Sequence, residues 1–357
     1  MKKIIAVLPG DGVGPEVVEQ ALKVLKKVAK KFDHQITYKY GLIGASAIEK
    51  TGNPLPEKTL ELCKGSDAIL FGAIGDPKYD LDPKSVIRPE QGLLKLRKEL
   101  NLYANLRPVK IYPELIESSP LKKERIEGVD LIIVRELTGG IYFGEPRLRQ
   151  DNGNTAIDTS IYTKEEIRRI AKIAFILASK RRKKVISVDK ANVLETSRLW
   201  RETVSNISIQ YHDIELSHMF VDNAAMQLIK NPQQFDVILT ENMFGDILTD
   251  EASVIAGSIG LLPSASLGDK YALYEPIHGS YHKNTGKNIA DPIATILSAA
   301  MMLNLSFNLI EEAEIIEIAV KKVIQNGFRT KDIVDNNTQK DKILGTKEIG
   351  DKITSAI

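Results

Sequence analysis

The sequence predicts an α/β fold, and three stretches of the chain support this prediction. Residues 4–8 (IIAVL) and residues 129–137 (VDLIIVREL) are short apolar runs typical of buried strands. The strand-like run FDVILTE leads directly into ENMFGDILTDEAS at 241–253, where apolar residues recur at helical spacing. Alternation of strands and helices along a chain is typical of α/β architecture. A chain of 357 residues is long enough for two domains or one large one.

The other elements are predicted from apolar patterns and from turn residues. The helices are expected just after Gly14 through Phe32, from near Gly92, over about 163–181, in PIATILSAAMMLNL, and over about 311–326. Further strands are expected at about 36–41 and 67–74, in VISVDKAN, and near 208–215. The loop GAIGDPKYDLDPKSVIRPEQ is rich in Gly, Pro and charge, which favours a mobile ligand-covering segment. Residues 327–357 are expected to form a polar tail with some helical character.

The turn GDGVGPE between the first strand and helix resembles a dinucleotide-binding fingerprint. Its glycines stand at Gly10, Gly12 and Gly14, and Pro15 follows, so the third glycine of G-x-G-x-x-G is absent. A standard Rossmann domain is therefore not expected.

Composition and charge exclude several classes of protein. Hydrophobic residues make up 43% of the chain and charged residues 27%, which is typical of a globular protein. Lys and Arg (49) nearly balance Asp and Glu (47), so no global field recruits nucleic acid or an anionic membrane. Cys63 is the only cysteine, which excludes an internal disulfide and indicates a reducing compartment. Since neither a signal-peptide core nor a membrane-length apolar stretch is present, we expect a cytoplasmic protein.

Two acidic residues on one predicted helix are candidate metal ligands. Asp246 and Asp250 are four residues apart, so their carboxylates share one face of the helix. Like charges at this spacing destabilise a helix by about 0.2–0.5 kcal/mol, and a divalent cation between them would reverse that effect. Oxygen ligands favour Mg²⁺ or Mn²⁺ over zinc. From this pair alone, an ordinary acidic solvent face remains the commoner explanation.

Three arginines stand near the ends of predicted elements, at Arg97, Arg107 and Arg135. Guanidinium groups bind carboxylates through two parallel charge-assisted hydrogen bonds, so three of them suit a di- or tricarboxylic acid. Taken singly, each is better explained by a surface salt bridge.

Seven motifs resemble, in their order along the chain, those of the isocitrate/isopropylmalate dehydrogenase family. They are GDGVGPE, LRKELNLYANLRPV, VRELTGGIYFGEPR, SVDKANVLETSRLW, VDNAAMQL, ENMFGDILTDEAS and EPIHGS. The resemblance covers essentially the whole chain and implies that family's two-domain fold. It implies a large cofactor-side domain of residues 1–100 and 252–357 and a small domain of residues 101–251. It also implies a homodimer, with a clasp hairpin at about 140–162 exchanged between subunits and interface helices in the small domain.

The resemblance also implies metal-assisted oxidative decarboxylation of a 2-hydroxy acid that carries a carboxylate on the adjacent carbon. The malate carboxylates would be held by Arg97, Arg107 and Arg135. The metal would be held by Asp222, Asp246 and Asp250, with Asp222 also close to substrate. Lys190 is the candidate base for the hydroxyl proton, and Tyr142 is the candidate acid that protonates the enolate carbon. Lys190 and Asp222 would reach across from the partner subunit.

The third substituent on the malate skeleton distinguishes members of the family. Leu93 and Leu94 offer an apolar wall for an isopropyl group, Val193 is expected opposite, and Glu90 would repel a further carboxylate. Because each buried methylene is worth about 0.8 kcal/mol, this wall favours isopropylmalate over malate. The expected reaction is NAD-dependent conversion of 3-isopropylmalate to 4-methyl-2-oxopentanoate and CO₂ in leucine biosynthesis. A D-malate- or tartrate-type dehydrogenase and a non-catalytic regulatory subunit remain alternatives.

The candidate cofactor residues lie in three segments of the chain. They are Gly75, Asp76, Glu90, His278, Gly279, Ser280, Lys283 and Asp291. Family members that use NAD often read HGSAPD, where the Asp binds the adenine ribose, and here Lys283 replaces that acid. A lysine at this place resembles NADP-dependent isocitrate dehydrogenases, and Asp291 stands where the family commonly has Asn. We expect NAD, with NADP as the alternative.

Overall fold

The structure, a computed structural model, describes residues 1–81 and 87–357. The strands are β1 (Lys2–Gly10), β2 (Gln35–Tyr40), β3 (Ala68–Ala73), β4 (Ala104–Lys110), β5 (Asp130–Glu136), β6 (Leu148–Gln150), β7 (Thr155–Ile157), β8 (Lys184–Asp189), β9 (Glu215–Phe220), β10 (Val237–Thr240), β11 (Pro263–Leu267) and β12 (Ala272–Pro276). The helices are α1 (Gly14–Lys31), α2 (Ala45–Thr51), α3 (Glu57–Lys64), α4 (Pro77–Asp80), α5 (Glu90–Glu99), α6 (Lys123–Ile126), α7 (Lys164–Ser179), α8 (Glu195–Ser208), α9 (Val221–Lys230), α10 (Asn242–Ala256), α11 (Ile293–Phe307), α12 (Ile310–Gln325) and α13 (Thr346–Ala356). The α/β prediction is confirmed.

The chain divides into two compact units. The terminal unit comprises Met1–Asn101, Tyr112–Ser119 and Ala256–Ile357, and the central unit comprises Leu102–Ile111 and Pro120–Ile255. The domain division implied by the resemblance places Asn101 and residues 112–119 in the small domain and 252–255 in the large one, so the two divisions differ at these residues. Residues 82–86, within the predicted ligand-covering loop, lie outside the described residues.

In the terminal unit the strands follow the order β2-β1-β3-β12-β11. The first four strands are parallel to one another, and β11 pairs antiparallel with β12. Helix α11 is apolar nearly all round and buried over most of its length, as its sequence predicts. The predicted polar tail contains α13, whose Ile349 and Ile353 are buried.

In the central unit the strands follow the order β4-β5-β10-β8-β9. Strands β5, β10, β8 and β9 are parallel to one another, and β4 runs antiparallel to β5. The predicted clasp hairpin contains the two short antiparallel strands β6 and β7, whose residues are mostly exposed. No helix among the described residues is long and apolar enough to cross a membrane.

The strand predicted near 208–215 is wrong. Helix α8 continues to Ser208, a turn follows, and the strand begins only at Glu215. The alternating apolar residues Ile207, Ile209 and Tyr211 resemble a strand pattern. In the structure the ring of Tyr211 instead stacks on Phe175 with a centroid distance of 4.9 Å. Tyr211 is therefore packed by a turn at the helix end and not by a strand, while Ile209 remains 65% exposed.

The basic run KRRKK at 180–184 follows the C-terminus of α7. Acidic residues of the central unit form salt bridges with several of its side chains. Arg181 donates to Asp130 at 2.6 Å and to Asp236 at 2.8 Å. Lys183 pairs with Asp213 at 2.9 Å. These pairs favour a structural role for the run over a surface for nucleic acid.

Helix α7 begins with a capping box formed by Thr163 and Glu166. We expect removal of the capping box to lower the stability of the protein measurably. The Thr163 hydroxyl accepts from the Glu166 amide at 3.2 Å, and the Glu166 carboxylate accepts from the Thr163 amide at 2.8 Å. Thr163→Ala is expected to lower the free energy of unfolding by about 1 kcal/mol, measured by urea denaturation. Thr155→Ala, which removes an exposed bond to Asp151, is the control and is expected to change little. Equal losses in both variants would contradict the capping role.

Candidate active site

Polar side chains of the central unit collect where its parallel strands end. Arg135 lies near the end of β5, and Lys190 follows β8 directly. Asp222 lies in the first turn of α9, which follows β9, and Asn242 begins α10 after β10. Ligands of open α/β sheets bind outside the carboxyl ends of the strands, so this edge is the expected place for a site.

Two of the predicted substrate arginines meet at one carboxylate. Arg135 is only 2% exposed, and its Nη1 donates to Oδ1 of Asp246. Arg107 is 6% exposed, and its Nη1 lies 3.7 Å from the same oxygen. Neither arginine is a surface residue, so the explanation by surface salt bridges is excluded for both. Two buried guanidinium groups beside one another are a strong attractor for a carboxylate ligand.

Helix α10 approaches the arginines closely because residue 245 is glycine. A Cβ built on Gly245 would lie 2.7 Å from Cγ of Arg135 and 2.8 Å from the Thr240 methyl group. Any larger residue would push the helix away. The glycine therefore brings Asp246 into contact with the arginines.

Asp246 and Asp250 are one turn apart on α10, as the spacing predicts. Desolvation raises the pKa of Asp250, repulsion from Asp246 adds to the rise, and Arg107 and Arg135 oppose it. Two carboxylates that repel each other form a set of hard oxygen donors that suits Mg²⁺ or Mn²⁺. Within the single chain, the described residues contain no group of three or more acidic, His or Cys side chains that could hold a metal. The predicted third ligand, Asp222, is not grouped with Asp246 and Asp250 in this chain.

Tyr142 belongs to the same cluster. It ends a short 3₁₀ turn at Gly140–Tyr142, and its hydroxyl donates to Oδ2 of Asp246 at 3.0 Å. The Arg135 guanidinium lies 5.8 Å from the centre of its ring. Burial, and then the Asp246 charge, raise the pKa of Tyr142 to about 12. The phenol therefore keeps its proton at neutral pH and is a proton donor.

Lys190 and Asp222 form a second group in the central unit. The Lys190 ammonium donates to Oδ1 of Asp222 at 2.7 Å. The backbone amide of Lys190 donates to the Ser197 hydroxyl, which fixes the position of the strand end. The Lys190 ammonium holds the pKa of Asp222 below its usual range. Val193, three residues on, is 61% exposed in the single chain.

The terminal unit contains the third arginine and the expected apolar wall. The four residues concerned all lie on helix α5. Leu93 and Arg97 are buried, Leu94 is half-buried, and Glu90 is exposed. Arg97 donates to Oε1 of Glu275 at 2.8 Å, and both side chains are less than 10% exposed. The partner Glu275 was not anticipated from the sequence, because it lies 178 positions away on β12.

The glycine turn packs against the predicted cofactor loop at Ser280. The Val13 amide donates to the Ser280 carbonyl at 2.8 Å, and Gly12 has a φ of +59°. A Cβ on Gly12 would lie 2.0 Å from the Ser280 oxygen, so only glycine fits. Gly75 faces the same loop, because a Cβ there would lie 2.9 Å from the Glu90 carboxylate and 3.6 Å from Oγ of Ser280. Three of the predicted cofactor residues are thereby brought together.

A cavity of about 660 Å³ in the terminal unit contains three more of them. Its lining includes His278, Gly279, Asp291, Lys331 and Asp332. Asp291 accepts hydrogen bonds from the Ile293 amide and the Thr330 hydroxyl, at 2.8 and 2.9 Å. Burial raises its pKa well above the usual value, and Asp332 adds to the rise. Of the two other predicted cofactor residues, Asp76 caps α4 and lies 3.9 Å from Nε2 of His282, and Lys283 is exposed on the turn His282–Asn284.

Comparison with known proteins identifies the family. The family model described as isocitrate/isopropylmalate dehydrogenase matches residues 4–353. The 3-isopropylmalate dehydrogenase of Aquifex aeolicus is 58% identical over 356 residues, covering 99% of this chain and 97% of its own length. The chain belongs to the isocitrate/isopropylmalate dehydrogenase family. The 3-isopropylmalate dehydrogenase of Bacillus subtilis is 54% identical, covering 100% of this chain and 98% of its own length. Among solved structures of the family, isocitrate dehydrogenase from Methylococcus capsulatus aligns with a TM-score of 0.87 and 34% identity, covering 99% of both chains.

The resemblance seen in the sequence is thus confirmed at the level of the family. Three residues near the sites were not anticipated: Asn242 beside Arg135, Glu275 beside Arg97, and Lys331 on the cavity wall. Asn242 stands inside the motif ENMFGDILTDEAS, directly after a strand, and that position was the available signal. An amide carries no charge, so residue type alone did not single it out.

Proposed function

We propose that this chain is the NAD-dependent enzyme that oxidises and decarboxylates 3-isopropylmalate to 4-methyl-2-oxopentanoate in leucine biosynthesis. The observation that carries the proposal is the convergence of Arg107, Arg135 and Tyr142 on the carboxylate of Asp246. This cluster brings together two anion-binding guanidinium groups, a carboxylate suited to a metal ion, and a phenol that can donate a proton. Relatives that match the full length of this chain bear the name of that activity.

In this proposal, Arg107 and Arg135 hold carboxylates of the substrate, and Arg97 supplies a third guanidinium. Leu93, Leu94 and Val193 contact the isopropyl group, while Glu90 disfavours a substrate with a further carboxylate. Val193 is 61% exposed in the single chain, so its side chain is open to contact with a ligand. A D-malate-type substrate is the alternative if this apolar contact is weak.

The metal is assigned to Asp246 and Asp250 together with Asp222 of the partner subunit. When bound, Mg²⁺ or Mn²⁺ stabilises negative charge on the substrate oxygens as it develops. A homodimer is proposed because the central unit exposes large apolar side chains on two helices, α9 and α10, and on the turn before α8. They include Val193, Met226 at 55% and Ile247 at 58% exposure. The Lys190–Asp222 pair would then serve the site of the other subunit.

Two side chains move the protons in the proposed reaction. Lys190, as the neutral amine, accepts the proton of the substrate 2-hydroxyl, and the ammonium that forms pairs with Asp222. A bound NAD would supply the acceptor for the hydride that C2 loses. The bond to the carboxylate on the adjacent carbon then breaks, CO₂ leaves, and its electron pair remains in an enolate. Tyr142 donates its proton to that carbon, which its raised pKa of about 12 permits at neutral pH.

The cavity of the terminal unit is assigned to the adenosine part of NAD. Asp291 and Asp332 contribute two carboxyl groups to its lining. Neither carboxyl group offers a 2′-phosphate the cationic partner that would bind it, which favours NAD. Lys331 also lines the cavity, and exposed Lys283 stands on the adjacent turn. These lysines keep NADP as the alternative cofactor.

We expect NAD to be preferred over NADP when initial rates are measured with Mg²⁺ and 3-isopropylmalate. D-malate and isocitrate serve as competing substrates. Lys283→Ala should change kcat/KM for NAD by less than about twofold, because an exposed charge contributes little. Lys172→Ala, on another helix, is the matched control. A preference for NADP that Lys283→Ala abolishes would overturn the NAD assignment, and turnover of D-malate alone would overturn the substrate.

A further inference from the structure

We propose that Asn242 is a positioning residue that orients Arg135 and the Tyr142 turn together. Asn242 is 1% exposed and begins α10, directly after the end of β10. Its side chain reaches the substrate arginine on one side and the backbone of the proton-donor turn on the other. The inference rests on the proposed function, since it assigns a task to the two groups that act there.

The first contact fixes the orientation of the Arg135 guanidinium. Oδ1 of Asn242 accepts from Nη2 of Arg135 at 2.8 Å and from Nε at 3.2 Å. Both bonds use the same edge of the planar group. The remaining nitrogen, Nη1, is the one directed at Asp246. Asn242 therefore decides which edge of Arg135 points toward the metal-type carboxylate and the substrate.

The second contact fixes the turn that carries Tyr142. Nδ2 of Asn242 donates to the carbonyl oxygen of Gly139 at 3.1 Å, three residues before Tyr142. The backbone amide of Asn242 donates to the Tyr162 hydroxyl at 3.0 Å. The Tyr162 ring packs against the same glycine, because a Cβ on Gly139 would lie 2.6 Å from it. The turn is thus held from two sides by groups that depend on residue 242.

One amide consequently links substrate anchoring to proton donation. Asparagine suits both contacts because it presents an acceptor and a donor on one short, neutral side chain. Aspartate lacks the donor for Gly139, and alanine lacks both groups. A neutral side chain also adds no charge that would compete with the substrate for Arg135.

The test is a pair of double-mutant cycles with the full-length enzyme. Asn242→Ala is expected to lower kcat by about 10²-fold, because a misplacement near 1 Å has such an effect. On a Tyr142→Phe background it should lower kcat no further, since the group it positions is gone. On an Arg135→Lys background it should raise KM no further, because lysine has no second edge to orient. Multiplicative effects in either cycle would overturn the proposal in favour of a purely structural role.

A second variant and a control keep the test decisive. Asn242→Asp is isosteric and is expected to reproduce the loss of kcat without adding to Tyr142→Phe, should the alanine variant not fold. Thr249→Val removes a hydrogen bond to Gly245 within the same helix and should act multiplicatively with Tyr142→Phe. The cycles use whichever acid of the panel (3-isopropylmalate, D-malate, isocitrate) the wild type oxidises, so a wrong substrate assignment leaves them interpretable. Calorimetric Kd values for 3-isopropylmalate repeat the Arg135 cycle without turnover, and additive losses there would also overturn the proposal.

Discussion

Asp246→Asn is expected to lower kcat/KM for 3-isopropylmalate by about 10³-fold or more, because the carboxylate takes part in three functions at once. It contacts Arg107 and Arg135, accepts the Tyr142 hydroxyl, and is proposed as a metal ligand. Asparagine has the same shape and can still accept from Tyr142. It removes the negative charge and also turns one acceptor oxygen into an NH₂ donor, so the loss measures both effects together. The assay is initial rate against substrate at several Mg²⁺ concentrations.

The matched control is Glu251→Gln, which removes a neighbouring carboxylate from the same helix. Glu251 lies on α10, five residues after Asp246, and is half-buried. Its substitution should therefore perturb the helix about as much as Asp246→Asn does. We expect near-wild-type activity from it. An Asp246→Asn enzyme with normal activity and a normal Mg²⁺ requirement would show that the metal binds elsewhere. Thermal denaturation of both variants separates this result from a loss of folded protein.

The sequence predicts the individual residues and elements of this site better than it predicts which of them come into contact. The acidic pair at Asp246 and Asp250 was found because its spacing matches one helical turn, which is local information. The strand ends that carry Arg135 and Lys190 were found because buried parallel strands are continuous apolar runs. Convergence of Arg107 and Arg135 on Asp246 depends on strand order, which one sequence does not contain.

Two features were beyond local patterns for physical reasons. The false strand at 208–215 arose because Tyr211 packs on Phe175, a contact between distant residues that a local alternation cannot distinguish from strand pairing. Asn242 was overlooked because its importance depends on two partners, Arg135 and Gly139, that are more than 100 positions away. The role of an uncharged polar residue depends on its neighbours in space, whereas a pair of like charges at helical spacing can be recognised in the sequence itself.

The largest qualitative effect is expected from mixing two inactive variants. Tyr142→Phe removes the proposed acid and Lys190→Met the proposed base, and each should lower kcat by about 10²–10⁴-fold alone. If Lys190 serves the site of the other subunit, a mixed dimer has one site lacking both groups and one site with both intact. An isolated mixed dimer should then recover about half of the wild-type rate, because a two-fold dimer has two equivalent sites. The two chains are co-expressed with different tags and purified through both.

The control is a chain that carries both substitutions, paired with either single variant. Every site of such a dimer lacks the acid or lacks the base, so no activity should return. Recovery in the Tyr142→Phe and Lys190→Met mixture alone would show that the Lys190–Asp222 pair acts across the interface. An inactive mixed dimer would instead place Lys190 in the site of its own subunit, and the metal ligands would then have to come from one chain. Failure of the two tagged chains to purify together would contradict the proposed dimer itself.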